Sequence, residues 1–145
     1  MRFWDSSALL PLLSREKFSD TATSLFREDG YTTVWWGTWT ECMVAISRLK
    51  RETRLTETGE EEARANLDEL SVNWVEIEPT GELRLLTMLV SKAYPLKAAD
   101  CLQLAAALRW CEGNTQEADF VCLDNRLRQA AEDEGFDVLP KGLKL

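Results

Sequence analysis

Residues 120–139, FVCLDNRLRQAAEDEGFDVL, contain an apolar run, a segment with helical periodicity and a second apolar run in close succession. We predict a buried strand at Phe120–Leu123, a helix at Asn125–Glu134 and a strand at Phe136–Leu139. Strands that alternate with helices are typical of a parallel sheet, because parallel neighbours need a crossover connection between them. This stretch therefore predicts an α/β fold with a largely parallel sheet.

The rest of the chain shows the same alternation. The further strands that we predict are Arg2–Trp4, Tyr31–Trp35 and Val72–Ile77. The further helices that we predict are Ser6–Leu13, Ser19–Glu28, Thr38–Glu52, Thr58–Leu70, Glu82–Ala93 and Ala98–Trp110. No linker, internal repeat or low-complexity tract interrupts them, so we expect a single domain over residues 1–145.

Composition excludes several classes of function. The chain has 145 residues, a formal net charge of −8 and no histidine. The lack of histidine excludes Ser-His-Asp and Cys-His catalysis, HExxH zinc sites and imidazole proton shuttles. Catalysis would have to use carboxylates, hydroxyls, lysines, thiols or a metal ion held by oxygen ligands. The negative charge argues against a broad basic surface that binds nucleic acid non-specifically.

Two features of the sequence indicate the cellular compartment. Asp5 would interrupt the apolar core of a signal peptide, and no apolar run is long enough to cross a membrane. The four cysteines have no CxxC spacing and lie within apolar segments, which is typical of reduced core residues. We therefore expect a cytoplasmic protein without a membrane partner.

Four acidic residues lie at predicted helix starts: Asp5, Glu41, Asp100 and Asp124. At least three of them follow a predicted strand, and functional groups of parallel α/β proteins gather where strands end and helices begin. Each acid also has a structural interpretation. Asp5 and Asp124 would be N-caps, Glu41 would form a capping box with Thr38, and Asp100 would complement the helix macrodipole.

Taken together, the acids are better explained by a bound cation. No lysine or arginine lies within the apolar stretch Asp100–Leu108, although Lys97 precedes it. A carboxylate that enters a core costs several kcal/mol unless it is paired, and clustered carboxylates raise one another's pKa. Mg²⁺ or Mn²⁺, which prefer oxygen ligands, would resolve both problems. Asp119 is excluded because it begins the strand that Asp124 follows, about 16 Å away at the opposite edge of the sheet.

The sequence resembles the PIN-domain nucleases in four motifs, whose order and spacing match across essentially the whole chain. FWDSSALL at residues 3–10 resembles the first motif, a strand that ends in Asp-x-Ser, and TWTE at 38–41 resembles the second. LKAADCLQLAAA at 96–107 is very similar to the third and most specific motif, and FVCLDNRL at 120–127 resembles the fourth. Small single-domain members of this family are mostly VapC-type toxins of bacterial and archaeal toxin–antitoxin pairs.

The resemblance implies a PIN-like three-layer α/β/α fold with a central, largely parallel sheet of four to five strands. It also implies a metal-dependent endoribonuclease in which Asp5, Glu41, Asp100 and Asp124 hold one or two Mg²⁺ or Mn²⁺ ions. Ser7 would orient a ligand or a bound water, or alternatively bond to the backbone of its own first helical turn. The family usually forms homodimers, and an antitoxin inhibits it by pointing a basic side chain into the acidic pocket.

Cys122 departs from the family pattern, which often has threonine two residues before the fourth acid. A thiol is a poorer hydrogen-bond donor than a hydroxyl and is softer toward metals. Cysteine at this position would therefore alter the hydrogen bonding around Asp124 and with it the occupancy of a second metal position.

Basic side chains supply candidate RNA contacts, whereas a group of tryptophans is better explained by packing. The basic candidates are Arg48, Lys50, Arg51 and Arg54 near the end of the predicted helix at 38–52, and Arg126 and Arg128 just after the fourth acid. Their alternative role is to complement a helix dipole or to cover a solvated helix face. Trp35 and Trp36 cannot share one base-stacking surface, because adjacent strand residues face opposite sides. We therefore expect these tryptophans and Trp39 to pack in the core or at an interface.

Two other functions remain as alternatives. One is a PIN-like protein-interaction module with weak or no catalysis. The other is a phosphotransfer enzyme of the haloacid dehalogenase type, which also has an aspartate at the end of a strand. The latter chemistry usually needs Asp-x-Asp, and the sequence has Ser7 where the second carboxylate would stand.

Overall fold

The computed structural model describes residues 1–143, which form five strands and seven helices. The strands are β1 (Arg2–Trp4), β2 (Thr32–Trp35), β3 (Val75–Ile77), β4 (Asp119–Val121) and β5 (Asp137–Leu139). The helices are α1 (Ser6–Leu13), α2 (Ser19–Glu28), α3 (Thr38–Arg51), α4 (Glu57–Asn73), α5 (Gly81–Ala93), α6 (Ala98–Trp110) and α7 (Asn125–Asp133). Every predicted helix and strand is therefore present, and most helix and strand ends lie within two residues of the predicted positions.

The largest differences from the prediction concern α4. This helix begins at Glu57 because the hydroxyl of Thr56, rather than that of Thr58, accepts the N–H of Gly59 at 3.0 Å. It also continues to Asn73, so the strand predicted from residue 72 starts only at Val75. Val72, which we placed in a strand, is an exposed helical residue.

The five strands form one sheet in the order β3-β2-β1-β4-β5, and all four pairings are parallel. In the register of the sheet, Arg2 stands beside Asp119, which in turn stands beside Asp137. These are the first residues of their strands, so Asp119 lies at the amino edge of the sheet, as predicted. The carboxyl ends of β1, β2 and β4 meet at the other edge.

Helices cover both faces of the sheet and give three layers. Trp4, Val34 and Val121 point to one face, where they pack with residues of α1, α3 and α4 such as Leu9 and Ile46. The alternate strand residues point to the other face. They include Phe3, Trp35 and Phe120, and they pack with residues of α5, α6 and α7 such as Leu83, Leu104 and Leu127. The sheet is therefore buried on both sides, as parallel sheets require.

Of the three tryptophans that we expected in the core or at an interface, Trp35 lies in the core. Trp35 is buried, whereas Trp36, which follows the end of β2, is 51% exposed and packs edge-on against the Trp35 ring at a centroid distance of 6.3 Å. Trp39 is also exposed. Cys42, Cys101 and Cys122 are buried core residues, as we expected, and Cys111 is half-buried.

Within residues 1–143, none of the helices combines the length and the apolar character needed to cross a membrane.

Candidate active site

The four predicted acids line one open cavity at the carboxyl edge of the sheet, with a volume of about 580 Å³. We call this the acid cavity. Its lining is Asp5, Ser6, Ser7, Leu10, Thr40, Glu41, Val44, Ala45, Arg48, Ala99, Asp100 and Asp124. The acids reach it from the starts of α1, α3, α6 and α7, four elements that lie far apart in the sequence. The structure thus brings together the residues that the sequence selected.

Asp5 is the most buried of the four acids, at 3% exposure. Its Oδ2 caps α1 by accepting the N–H of Ser7 at 3.2 Å, and it also accepts the Ser7 hydroxyl. Burial raises the pKa of Asp5 and the charge of Asp124 raises it further, whereas the hydrogen bonds from Ser7 and Cys122 oppose this. Asp5 is therefore an N-cap and a wall of the acid cavity at once.

Ser7 joins the first motif to the fourth. Its Oγ donates to Asp5 and accepts the N–H of Leu123 at 2.9 Å, just beyond the end of β4. The hydroxyl therefore holds the Asp5 carboxylate against the neighbouring strand, a contact that runs between two elements rather than within its own helical turn.

Cys122 takes part in the same network from a fully buried position. Its Sγ lies 3.5 Å from Oδ2 of Asp5 and accepts the N–H of Asp124 at 3.3 Å. Burial, followed by the charge of Asp5, raises the pKa of the thiol well above its ordinary value, so the protonated thiol is the relevant form. The thiol thus occupies a position between two of the acids where it can support both.

Glu41 is held by neutral donors from two other helices. The hydroxyl of Ser6 donates to its Oε1 at 3.0 Å, and Nε2 of Gln103 donates to its Oε2 at 3.0 Å. Gln103 also donates to the hydroxyl of Thr38 at 3.0 Å. The capping-box interpretation of Glu41 is therefore wrong, because Gly37 is the N-cap, no side chain caps the start of α3, and the carboxylate accepts from Ser6 and Gln103.

Burial, together with the nearby charge of Asp5, raises the pKa of Glu41 from 4.5 to about 7. Burial also raises the pKa of Asp100, from 3.8 to about 6, with smaller contributions from Asp5 and Asp124. Lys97 opposes this shift but forms no ion pair with Asp100 among residues 1–143. The acids are thus close enough to repel one another, and part of their charge is suppressed near neutral pH.

Asp100 and Asp124 are held less firmly than the other two acids. Asp124 is exposed and caps α7, with its Oδ1 accepting the N–H of Leu127 at 3.0 Å. The N-cap interpretation is therefore correct for Asp124 as well as for Asp5, and it coexists with a place in the cavity. Asp100 is half-buried in the first turn of α6 and has no side-chain hydrogen bond to another residue in the described part of the chain.

The carboxylates are the right ligands for Mg²⁺ or Mn²⁺, since both ions prefer oxygen donors. Within residues 1–143, however, no group of three or more Asp, Glu, His or Cys side chains is placed so that it could hold a metal ion. Cation binding would therefore require carboxylates to turn toward one another, and Asp100 and Asp124 have the fewest contacts to lose.

Sequence reasoning missed Ser6 and Gln103. Gln103 is a fully buried polar residue in a helix that is otherwise almost wholly apolar, and this exception was visible in the sequence. Ser6 carried no comparable signal, because a serine in the first turn of a helix has many structural uses.

Of the predicted RNA contacts, Arg128 is corrected by the structure. It is only 6% exposed, and its guanidinium donates to the carbonyl oxygens of Cys122, Leu139 and Pro140. These bonds satisfy backbone groups at the ends of β4 and β5, so Arg128 supports the sheet and is not available to RNA. Arg126 is exposed but lines a different cavity, beside Tyr94.

Arg51 is exposed in the last turn of α3 and does not line the acid cavity, whereas Arg48 does. The structure therefore separates two residues that the sequence left equivalent.

Comparison with solved structures identifies the fold. The chain is similar to the crystal structure of FitAcB from Neisseria gonorrhoeae, with a TM-score of 0.65 over 95% of this chain and 96% of that one. The two sequences are 11% identical, so the similarity concerns the fold. It confirms the predicted class, a PIN-like α/β/α fold around a parallel sheet. No family model matches the sequence, and no curated protein matches it significantly.

Proposed function

We propose that this protein is a metal-dependent endoribonuclease that hydrolyses RNA phosphodiester bonds and acts as the toxin of a type II toxin–antitoxin pair. One observation carries the proposal: four carboxylates from four separate helix starts open into one cavity without an ion pair among residues 1–143. A fold that gathers repelling charges at the edge where α/β proteins place their active sites gains little stability by doing so.

Asp5, Glu41, Asp100 and Asp124 would hold one or two Mg²⁺ or Mn²⁺ ions. Bound metal ions would lower the pKa of a water and would neutralise charge on the phosphate and the leaving oxygen. The chain's own part is to present the ligands. Asp5 is fixed by Ser7, and Glu41 is fixed by Ser6 and Gln103. Because the pKa of Glu41 is raised to about 7 by burial, cation binding near neutral pH would release a proton.

The proposed partners follow from the same surface. An acid cavity of this size suits the insertion of a basic side chain from an antitoxin, which would compete with the cations. A second copy of the chain would cover the exposed apolar residues Leu85, Met88 and Leu89, which recur at i, i+3 and i+4 on α5. We place the protein in the cytoplasm, where its RNA substrate is found.

A catalytically inactive PIN-like interaction module is the second candidate. Two observations favour it: Cys122 stands where the family often has threonine, and no group of acids in residues 1–143 is arranged to hold a metal. In that case the acid cavity would serve only to accept a basic segment of a partner protein.

Titration calorimetry with Mg²⁺ and with Mn²⁺ distinguishes these two functions. We expect millimolar or tighter binding to the wild type and its loss in Asp100→Asn. Asp119→Asn is the matched control, since it removes the same charge at the opposite edge of the sheet and should leave binding intact. If the wild type bound neither ion while remaining folded, the four acids would not be metal ligands, and the interaction module would become the better proposal.

A further inference from the structure

Helix α3 presents one continuous face to the acid cavity. Glu41, Ala45 and Arg48, spaced at i, i+4 and i+7, all line it. Arg48 is the one basic residue among the lining residues, and it lies roughly 10 Å from Glu41 along the helix axis. Its side chain is exposed and forms no ion pair with any residue in the range 1–143. Arg48 therefore does not neutralise the acids beside it.

A second, smaller cavity of about 210 Å³ continues from the first. The two cavities share the lining residues Leu10, Ala45 and Arg48, so they are consecutive parts of one groove between α1 and α3. The second part is lined further by Glu16, Leu49, Glu52 and Arg54. Arg48 thus stands where the groove leaves the acids, and Arg54 stands further along it.

A purely structural role explains Arg48 poorly. A cation that complements the dipole of α3 is already supplied by Lys50 and Arg51, which lie in the same last turn. Neither of these lines the groove. What distinguishes Arg48 is its position beside the acid cavity with a free guanidinium, a group whose planar fork matches the oxygens of a phosphate.

We propose that Arg48 is a substrate-positioning residue that binds a phosphate of an RNA strand lying in this groove, next to the phosphodiester held at the acid cavity. Arg54 contacts the same backbone further along. This assignment rests on the proposed ribonuclease function and adds to it the path that the substrate takes. It also gives a way for a chain of net charge −8 to bind RNA, because cations would screen the four acids of the acid cavity, and Arg48 and Arg54 offset Glu16 and Glu52 in the second part of the groove.

The test compares Arg48→Gln with Arg51→Gln. The two variants lose the same charge from exposed positions in the last turn of α3, but only the first is in the groove. The substrate is a fluorescently labelled single-stranded oligoribonucleotide of mixed sequence, and cleavage is measured with the full chain in Mn²⁺ at several salt concentrations. Calorimetry with Mn²⁺ on each variant measures the acid cavity independently.

For Arg48→Gln we expect KM to rise about tenfold, with kcat changed less than threefold, and the salt dependence of kcat/KM to become shallower by about one phosphate contact. Its Mn²⁺ affinity should equal that of the wild type. Arg51→Gln should match the wild type in all three measurements. Rescue by Arg48→Lys should be partial, because lysine retains the charge but not the fork.

Equal KM values for the two glutamine variants would overturn the role of Arg48 while leaving the ribonuclease proposal intact. A loss of Mn²⁺ affinity in Arg48→Gln would also overturn it, since the arginine would then act on the metal ligands. If the wild type bound Mn²⁺ but neither bound nor cut RNA, both proposals would be wrong.

Discussion

Acidic residues are ion-paired at the amino edge of the sheet but not at the carboxyl edge, among the residues that the structure describes. At the amino edge, the guanidinium of Arg2 donates to Asp119 at 3.1 Å, to Glu28 at 3.0 Å and to the carbonyl of Leu25 at 2.9 Å. Met1 contributes its amino group to Asp29 at 3.0 Å. At the carboxyl edge, the four acids of the cavity have hydrogen bonds from neutral groups or none, and no ion pair to another residue in 1–143.

The difference separates acids that stabilise the fold through ion pairs from acids that the fold holds in place without a countercharge. Each paired acid at the amino edge has its countercharge within the chain, so it needs nothing from outside. The cavity acids are supported by helix N-termini and hydroxyls, which place the carboxylates without cancelling their charge. The carboxyl edge therefore leaves its acidic charges without a countercharge from residues 1–143, as we expect of a site for a cation or a basic side chain.

Among the substitutions that test this comparison, we expect the largest effect on RNA cleavage at Asp5. Asp5→Asn retains an N-cap side chain for α1, since asparagine caps as well as aspartate does, but it removes one carboxylate charge from the cavity. We expect RNA cleavage to fall by at least about 1000-fold while stability is unchanged or raised, because repulsion is relieved. Cleavage of labelled RNA and urea unfolding measure the two quantities, and a variant that cut RNA at the wild-type rate would refute the assignment.

A smaller effect should follow from releasing Glu41. Gln103→Leu removes the amide that donates to Glu41 and fills the same buried position with a side chain of similar volume. We expect this variant to bind Mg²⁺ and Mn²⁺ about 10–100-fold more weakly than the wild type. In a Glu41→Gln background the same substitution should cause no further loss, since Gln103 would act only through Glu41. Thr33→Val is the control, because it changes a buried hydroxyl in β2 that has no partner among residues 1–143. Additive losses in the double variant would contradict the positioning role.

The pH dependence of stability should sharpen the contrast. The pKa of Glu41 is raised by burial to about 7 from an ordinary 4.5, so the folded chain holds a proton that the unfolded chain has lost. Stability is therefore lost as the pH rises from about 4.5 to 7. Relative to Glu41→Gln, the free energy of unfolding of the wild type should fall by on the order of 2 kcal/mol across this range. This is less than the pKa shift alone would give, because the side chain is partly exposed to solvent. Urea unfolding of both proteins at a series of pH values gives the difference, and a constant difference would contradict the burial of an uncompensated charge.

The smallest effect is expected at the amino edge. Asp119→Asn removes one partner of Arg2 from a partly exposed pair, so we expect a loss of about 0.5–1.5 kcal/mol in the free energy of unfolding. Cleavage should remain within about twofold of the wild type, because Asp119 begins the strand whose other end carries the cavity. A large loss of activity in this variant would mean that the two edges are coupled and that the contrast drawn above is wrong.

Local patterns were sufficient to predict the elements and the four acids. Apolar runs and helical periods located the strands and helices, and each acid lay at a helix start that the sequence marked. The prediction was wrong near Val72, because β-branched residues favour strands locally but α4 continues to Asn73 and places that side chain in solvent.

The contacts between distant residues could not be predicted in this way. Glu41 is bonded to Ser6 and Gln103, which lie 35 and 62 residues away, so its capping-box pattern gave the wrong partner. Arginine is usually a surface residue, yet Arg128 is buried because its guanidinium reaches the carbonyl groups of Cys122, Leu139 and Pro140 at the ends of two strands. In both cases tertiary contacts overrode a local interpretation.

The strand order also determines when the acid cavity is completed during synthesis. Strand β1 lies between β2 and β4, and its hydrogen-bonded neighbour β4 is 117 residues further along the chain. Asp5 and Ser7 can contact Cys122 and Leu123 only after the more than one hundred residues between them have been made. A ribosome that is still translating this protein therefore carries a nascent chain whose cavity lacks one wall. If the folded protein cuts RNA, a complete cutting site exists only after residues 119–124 have been synthesised and β4 has paired with β1.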